Sequence, residues 1–197
     1  VHHGTSRYEI GDRRLGIEYA NQIDFKYQWS NDHLGIVVNP FTQDISDFIS
    51  LDPTDSVISG YKVYNYMQYD KVEINGVEMN LHYHPHQLHN LHFEQSYSFL
   101  QATNNNSKYG LALVPANSIK NKILFKFNDY ERLLKFDNFS IYHTYKFKQD
   151  SYAEYEDETP SYNVVNLQLG LKFSKEFHST FSLCNLLNEE YSPHVSR

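Results

Sequence analysis

The sequence predicts an all-β chain, an antiparallel sheet forming part of a membrane β-barrel, and three observations predict it. Successive stretches alternate apolar and polar residues with period two. The apolar rows are rich in Phe, Tyr, Leu and Ile, while the opposite rows carry Glu, Lys, Gln and His, the division expected between lipid and a wet lumen. The connections alternate short and long. Composition agrees, because 17 Tyr and 13 Phe against one Trp, 8 Gly and 6 Pro in 197 residues favour strands over helices.

Eight stretches read as strands. Residues 17 to 29 place Ile17, Tyr19, Ile23, Phe25, Tyr27 and Trp29 on one side and Glu18, Gln22, Asp24, Lys26 and Gln28 on the other. A turn at Ser30-Asn31-Asp32 leads to a strand over 34 to 49, and Asp52-Pro53 with Ser59-Gly60 marks 51 to 60 as a loop. From Tyr61 to His84 the alternation runs long, with Val77, Met79, Leu81 and Tyr83 opposite Glu78, Asn80, His82 and His84. Asn75-Gly76 offers a hairpin turn here. One continuous strand is the other reading, since no polar cluster surrounds the pair.

Past Pro85-His86-Gln87, residues 89 to 101 set Leu91, Phe93, Tyr97 and Phe99 against His92, Glu94, Ser96 and Ser98. A long loop opens at Asn104-Asn105-Asn106-Ser107. The next strand carries Ile123, Phe125 and Phe127, and the one after the connection at 130 to 135 carries Phe139, Ile141, Tyr145 and Phe147. After the acidic loop SYAEYEDETPS, Val165, Leu167, Leu169, Leu171 and Phe173 face one way. A break at Ser174-Lys175-Glu176 then leads to Phe181 and Leu183.

Short connections at 30–33, 85–88, 131–135 and 174–176 thus alternate with long ones at 51–60, 102–118 and 149–161. That is the sequence form of an up-and-down membrane barrel, tight-turned on its periplasmic side and long-looped outside. Such a sheet must close, because lipid satisfies no backbone N–H or C=O. A soluble β-sandwich also alternates and stands as the alternative. The formal charge of −7 speaks against a nucleic-acid surface. The single cysteine, Cys184, excludes an intrachain disulfide framework. No apolar run reaches the roughly 18 residues of a transmembrane helix.

The C-terminal stretch YNVVNLQLGLKFSKEFHSTFSLCNLLNEEYSPHVSR resembles the TonB-dependent outer-membrane receptor family, with Asn185, Leu186, Asn188 and Tyr191 on its Asn-Leu-Phe/Leu-Asn-x-x-Tyr motif. HHGTSRYEIGDRRLGIEY is similar to a mid-barrel segment of metal and iron-complex receptors through His2, His3, Gly4, Thr5, Tyr8, Glu9, Gly11, Leu15 and Glu18, although Gly16 falls between the last two. NPFTQDISDFIS, VEINGVEMNLHYHP and LVPANSIKNKILF resemble later segments in the family's order and make Asn75-Gly76 part of a continuous strand. The resemblance implies the C-terminal portion of the barrel over residues 1–197, about eight strands of an incomplete wall of about 22 strands. The plug domain, first barrel strands and last strand are expected outside this chain. It further implies outer-membrane uptake of a metal or iron complex (siderophore, haem or metal ion), energised by a TonB-type protein acting through the plug. Outer-membrane lipid, lipopolysaccharide and a small-molecule substrate complete the expected partners, with no resident cofactor.

Eleven histidines are the most suggestive polar feature. Imidazole suits late first-row metals and haem iron. His82, His84 and His92 are candidate metal contacts, since the first two share a strand face and the third belongs to the neighbouring strand, near the periplasmic turn. Interior hydrogen bonding is the plainer account of the same residues. His2 and His3, with Arg13 and Arg14, are candidate substrate contacts near the outer mouth, although adjacent extended residues point to opposite faces. Glu154, Glu156, Asp157 and Glu158 read as a solvated acidic loop. No Gly-rich phosphate loop, His-Glu-x-x-His pair or readable nucleophile and base is present, so no enzyme is expected. An outer-membrane barrel hydrolase and a soluble binding sandwich remain the alternatives.

Overall fold

The structure, a computed structural model, describes residues 7–104, 107–127, 135–174 and 177–196. Its strands are β1 (Arg7–Ile10), β2 (Tyr19–Asp24), β3 (Tyr27–Ser30), β4 (Leu34–Ile58), β5 (Tyr61–Tyr83), β6 (Leu91–Asn104), β7 (Ser118–Lys126), β8 (Lys135–Lys146), β9 (Tyr162–Lys172) and β10 (His178–Leu183). All belong to one sheet of order β10-β9-β8-β7-β6-β5-β4-β2, with β3 also on β4 and β1 parallel beside β5. From β4 to β10 each strand pairs antiparallel with the next, an up-and-down meander whose edges do not meet. The expected connection at 131–135, apart from Lys135, lies outside the described residues, as do Asn105, Asn106, Lys175, Glu176 and the pair His2-His3.

Two expectations are corrected. Residues 17 to 29 form two strands rather than one, because Pro40 stands opposite the break. Phe25 N–H donates to the Pro40 carbonyl (3.0 Å), but proline has no N–H to return the bond. The supposed loop at 51–60 is the tip of a long hairpin. β4 continues to Ile58, a register shift between Pro53 and Val57 takes up the proline, and Thr54 Oγ1 donates to the Val63 carbonyl (3.0 Å). Ser59 (φ 53°) and Gly60 (φ 82°) then make a two-residue turn with both dihedrals left-handed, the kind whose twist matches a hairpin.

β5 runs unbroken through Asn75-Gly76, and the registers show where its two faces change character. On one face Ile36 opposes Leu81, Val38 opposes Met79 and Pro40 opposes Val77, followed by Thr42 with Asn75, Asp44 with Glu73 and Ser46 with Lys71. The same change occurs on β6, where Phe93, Tyr97 and Phe99 give way to Gln101 and Thr103. Above the change Lys71 bridges Asp44 (3.3 Å) and Glu73 (3.0 Å). The apolar row continues through Ile119, Ile123 and Phe125, then Phe139, Ile141 and Tyr145, then Val165, Leu167, Leu169 and Leu171, ending on Phe181 and Leu183. β7 has 9 residues and β9 has 11, which matches one bilayer crossing of about 9–11 residues. β5 has 23, so its upper half projects past such a band.

The opposite face is polar along the band. Ser96 Oγ donates to Asn80 (2.7 Å), Lys122 pairs with Glu94 (3.2 Å), and Tyr142 Oη donates to Gln168 (2.9 Å). Beyond the band this face turns apolar, with Val72 wholly buried against Ala102 and Leu111 and flanked by Ile74, Leu100 and Val114. The segment 107–117 therefore folds back over the upper sheet. Its Gly110 N–H bonds to the Tyr152 carbonyl (2.9 Å) of the acidic loop. The NLLNEEY motif has a local cause: Asn185 (φ 53°) and Asn188 (φ 50°) take the left-handed backbone that Asn tolerates best among side-chain-bearing residues. Asn185 also clasps the main chain of Glu189 through both its amide atoms (2.9 and 3.0 Å). Tyr191 stacks on Tyr162, so this segment climbs beside β9 without forming a strand. Cys184 lies just past the end of β10 and is exposed, rather than on a strand face.

Candidate metal centre

The short-turn end of the β4–β5–β6 wall gathers six histidines. Leu34 opposes Tyr83, and Tyr83 opposes Phe93, so the next rung outward holds His33, His84 and His92 side by side. The rung is tied by His84 N–H donating to the His33 carbonyl (2.9 Å). His82 lies two residues up on the same polar face, opposite Gly35, which brings no side chain against its ring. His86 and His89 come from the turn between β5 and β6. Ring centroids are 5.0 Å apart for His33 and His84, 4.8 Å for His33 and His86, and 5.3 Å for His82 and His92.

Two sets of three nitrogens converge here. One is His82, His84 and His92, the other His33, His84 and His89, and in each set all donor atoms lie within 4.8 Å of one another. His82 Nε2 and His92 Nδ1 are 3.5 Å apart. The Nδ1 atoms of His33 and His84 are shielded from solvent yet have no hydrogen-bond partner among the described residues. Desolvation, and then the charges of His33, His82 and His89, hold the His84 imidazole below its ordinary value, with Asp32 opposing. A neutral ring with an unused lone pair is the form in which histidine ligates metals.

The other candidates lie apart. Arg13 and Arg14 belong to the exposed segment between β1 and β2. Arg14 grips Asp12 through two parallel bonds (3.0 and 2.8 Å), and this guanidinium holds the Asp12 carboxyl down to about 2. The acidic loop is partly engaged in structure. Glu156 accepts bonds from the Leu113 and Ala153 main chain (2.9 and 3.1 Å) and lies 3.5 Å from buried His194.

Sequence reasoning reached His82, His84 and His92 but missed His33, His86 and His89. The signal for His33 was the Ser59-Gly60 turn, since a hairpin folded there, with the register shift between Pro53 and Val57, carries His33 opposite His84. Ending the strand at residue 49 removed that register.

Residues 2–188 match the family described as "TonB dependent receptor-like, beta-barrel". Among solved structures the chain resembles the copper transporter OprC (TM-score 0.80, 15% identity, 93% of this chain and 27% of that one). It also resembles the siderophore receptor PirA from Acinetobacter baumannii (0.64, 16%, 87% and 28%) and the FrpB iron transporter from Neisseria meningitidis (0.69, 15%, 99% and 31%). At such identities the likeness is one of fold, and the chain spans less than a third of each of these structures. No curated protein matches. The sandwich gives way to a barrel wall: the chain, matched over residues 2–188, belongs to the TonB-dependent receptor β-barrel family.

Proposed function

We propose that the chain is a wall segment of a Gram-negative outer-membrane receptor that takes up a metal or an iron complex. The observation that carries this reading is the gathering of six histidines, from the polar face and the adjoining turn, at the short-turn end of a receptor-family barrel wall. The similar structures, a copper transporter, a siderophore receptor and an iron transporter, support the same substrate class. In this reading the apolar row faces lipid and the polar row the lumen. The short turns face the periplasm, and the long connections approach the lipopolysaccharide. A TonB-type protein would supply energy through a plug domain, with His2, His3, Arg13 and Arg14 contributing to capture near the outer mouth.

The test is uptake by cells expressing the full-length receptor, supplied in turn with labelled zinc, haem and a ferric siderophore, with and without the TonB-type protein. Saturable uptake of at least one that vanishes without the energising protein is expected. Uptake of none, or uptake indifferent to that protein, overturns the proposal.

A further inference from the structure

We infer that the histidines at the turn end form a binding site for one bare late first-row divalent ion, of the Cu²⁺ or Zn²⁺ class, held by two alternative three-nitrogen sets that share His84. The role of this site as an inner-mouth station rests on the transport reading above; its binding chemistry does not.

Three facts carry the inference. Five imidazoles supply two convergent sets, each with all donors within 4.8 Å. Nitrogens bound to one tetrahedral ion lie roughly 3.3 Å apart, given metal–nitrogen bonds of about 2.0–2.1 Å. The 3.5 Å between His82 Nε2 and His92 Nδ1 is already near that value, and side-chain rotation of the remaining rings closes the other gaps. Second, the shielded Nδ1 atoms of His33 and His84 have no partner among the described residues, and a buried polar atom without one is costly unless a ligand satisfies it. Third, every donor is an imidazole, with no cysteine or methionine sulfur in either set, which favours imidazole-preferring ions over soft monovalent ones.

Sharing decides the stoichiometry. A neutral imidazole offers one lone pair, so His84 serves one set at a time and the site holds one ion. The two sets differ in depth. His33, His84 and His92 share one rung, whereas His82 lies two residues up the wall and His89 stands in the turn, so exchange of partners around His84 moves the ion from wall to rim without releasing it. A large planar or fully chelated iron complex has no place in such a site, because its metal has too few positions free for three imidazoles.

The experiment uses the full-length receptor, purified in detergent without a polyhistidine tag, titrated with Zn²⁺ by calorimetry and with Cu²⁺ by electron paramagnetic resonance. One ion per chain with nitrogen hyperfine structure is expected. His84→Ala should weaken binding by more than about 100-fold, beyond what loss of an outer-shell partner costs. His92→Ala and His89→Ala should each leave one set intact and retain binding, and their double variant should behave like His84→Ala. His178→Ala, on β10 and outside the cluster, should bind as the parent does. Heat-modifiable gel migration shows that each variant is folded.

Absence of saturable binding, two ions per chain, or binding indifferent to His84→Ala overturns the inference. Energised uptake of a chelated iron complex by a receptor that binds no ion here would sink this site and leave the transport reading standing. Ion binding in a receptor with no energised uptake would do the reverse.

Discussion

Gly76 shows how one residue can be fixed by its neighbours. It sits on the polar face of β5 at the level where the other face changes from apolar to polar. A Cβ there would stand 2.3 Å from Phe41 Cζ and 2.9 Å from the Phe99 carbonyl oxygen. The ring can swing aside, but the carbonyl is held in the β5–β6 ladder. Gly76→Ala should therefore destabilise the full-length receptor by about 1–3 kcal/mol, read from urea unfolding in detergent. Adding Phe41→Ala should recover only part of this, since the carbonyl contact remains. Full recovery would place the strain in the ring alone. The same residue explains a difficulty in the sequence, where Asn-Gly is a strong hairpin signal. Here the glycine admits an aromatic ring across a continuous strand, and only the partner strand reveals it.

At the scale of the elements, the apolar face carries a polar thread. Gln95 Nε2 donates to Asn121 (2.8 Å), Asn121 Nδ2 to His143 Nδ1 (3.0 Å), and His143 Nε2 to Asn163 (2.9 Å), linking β6, β7, β8 and β9. The order of these bonds requires the neutral Nε2–H tautomer of His143. In lipid each amide needs its neighbour, so His143→Leu leaves a donor on Asn121 and an acceptor on Asn163 unmatched. It should cost about 1–3 kcal/mol. Replacing Gln95, Asn121, His143 and Asn163 by Leu together should cost less than the single change, because no orphan remains. Urea unfolding in lipid vesicles compares the two, and a costlier quadruple variant would show that the thread does more than satisfy itself. Period two made the strands legible, yet these four residues passed unread, because alternation is judged from the majority of a row. The split of β2 from β3 and the length of β4 were equally hidden. One depends on a proline in the facing strand, the other on a register shift. The metal candidates were legible only as far as strands adjacent in sequence bring them, and His33 needed a hairpin partner about fifty residues away.

For the whole molecule, the registers support what each strand alone cannot, the proposed division in which one row from β4 to β10 would face lipid and the other water. Ile141 stands mid-row between Ile123 and Leu167, while Thr144 stands on the opposite face of the same strand. In a barrel wall a cation at the lipid midplane costs about 2–4 kcal/mol, whereas lumen positions tolerate charge. Ile141→Arg should thus destabilise the full-length receptor by that amount in vesicles, and Thr144→Arg should stay within about 0.5 kcal/mol, as an ordinary surface change does. A soluble sheet would also resist Ile141→Arg, so detergent extraction adds the second half of the test. The parent should remain with membranes through a carbonate wash and leave them only with detergent. Equal costs at Ile141 and Thr144 would contradict the assignment of faces. Release without detergent would contradict the lipid itself. In the proposed wall the polar face would owe its tolerance to lumen water, and that same water would give an ion access to the histidines at its short-turn end.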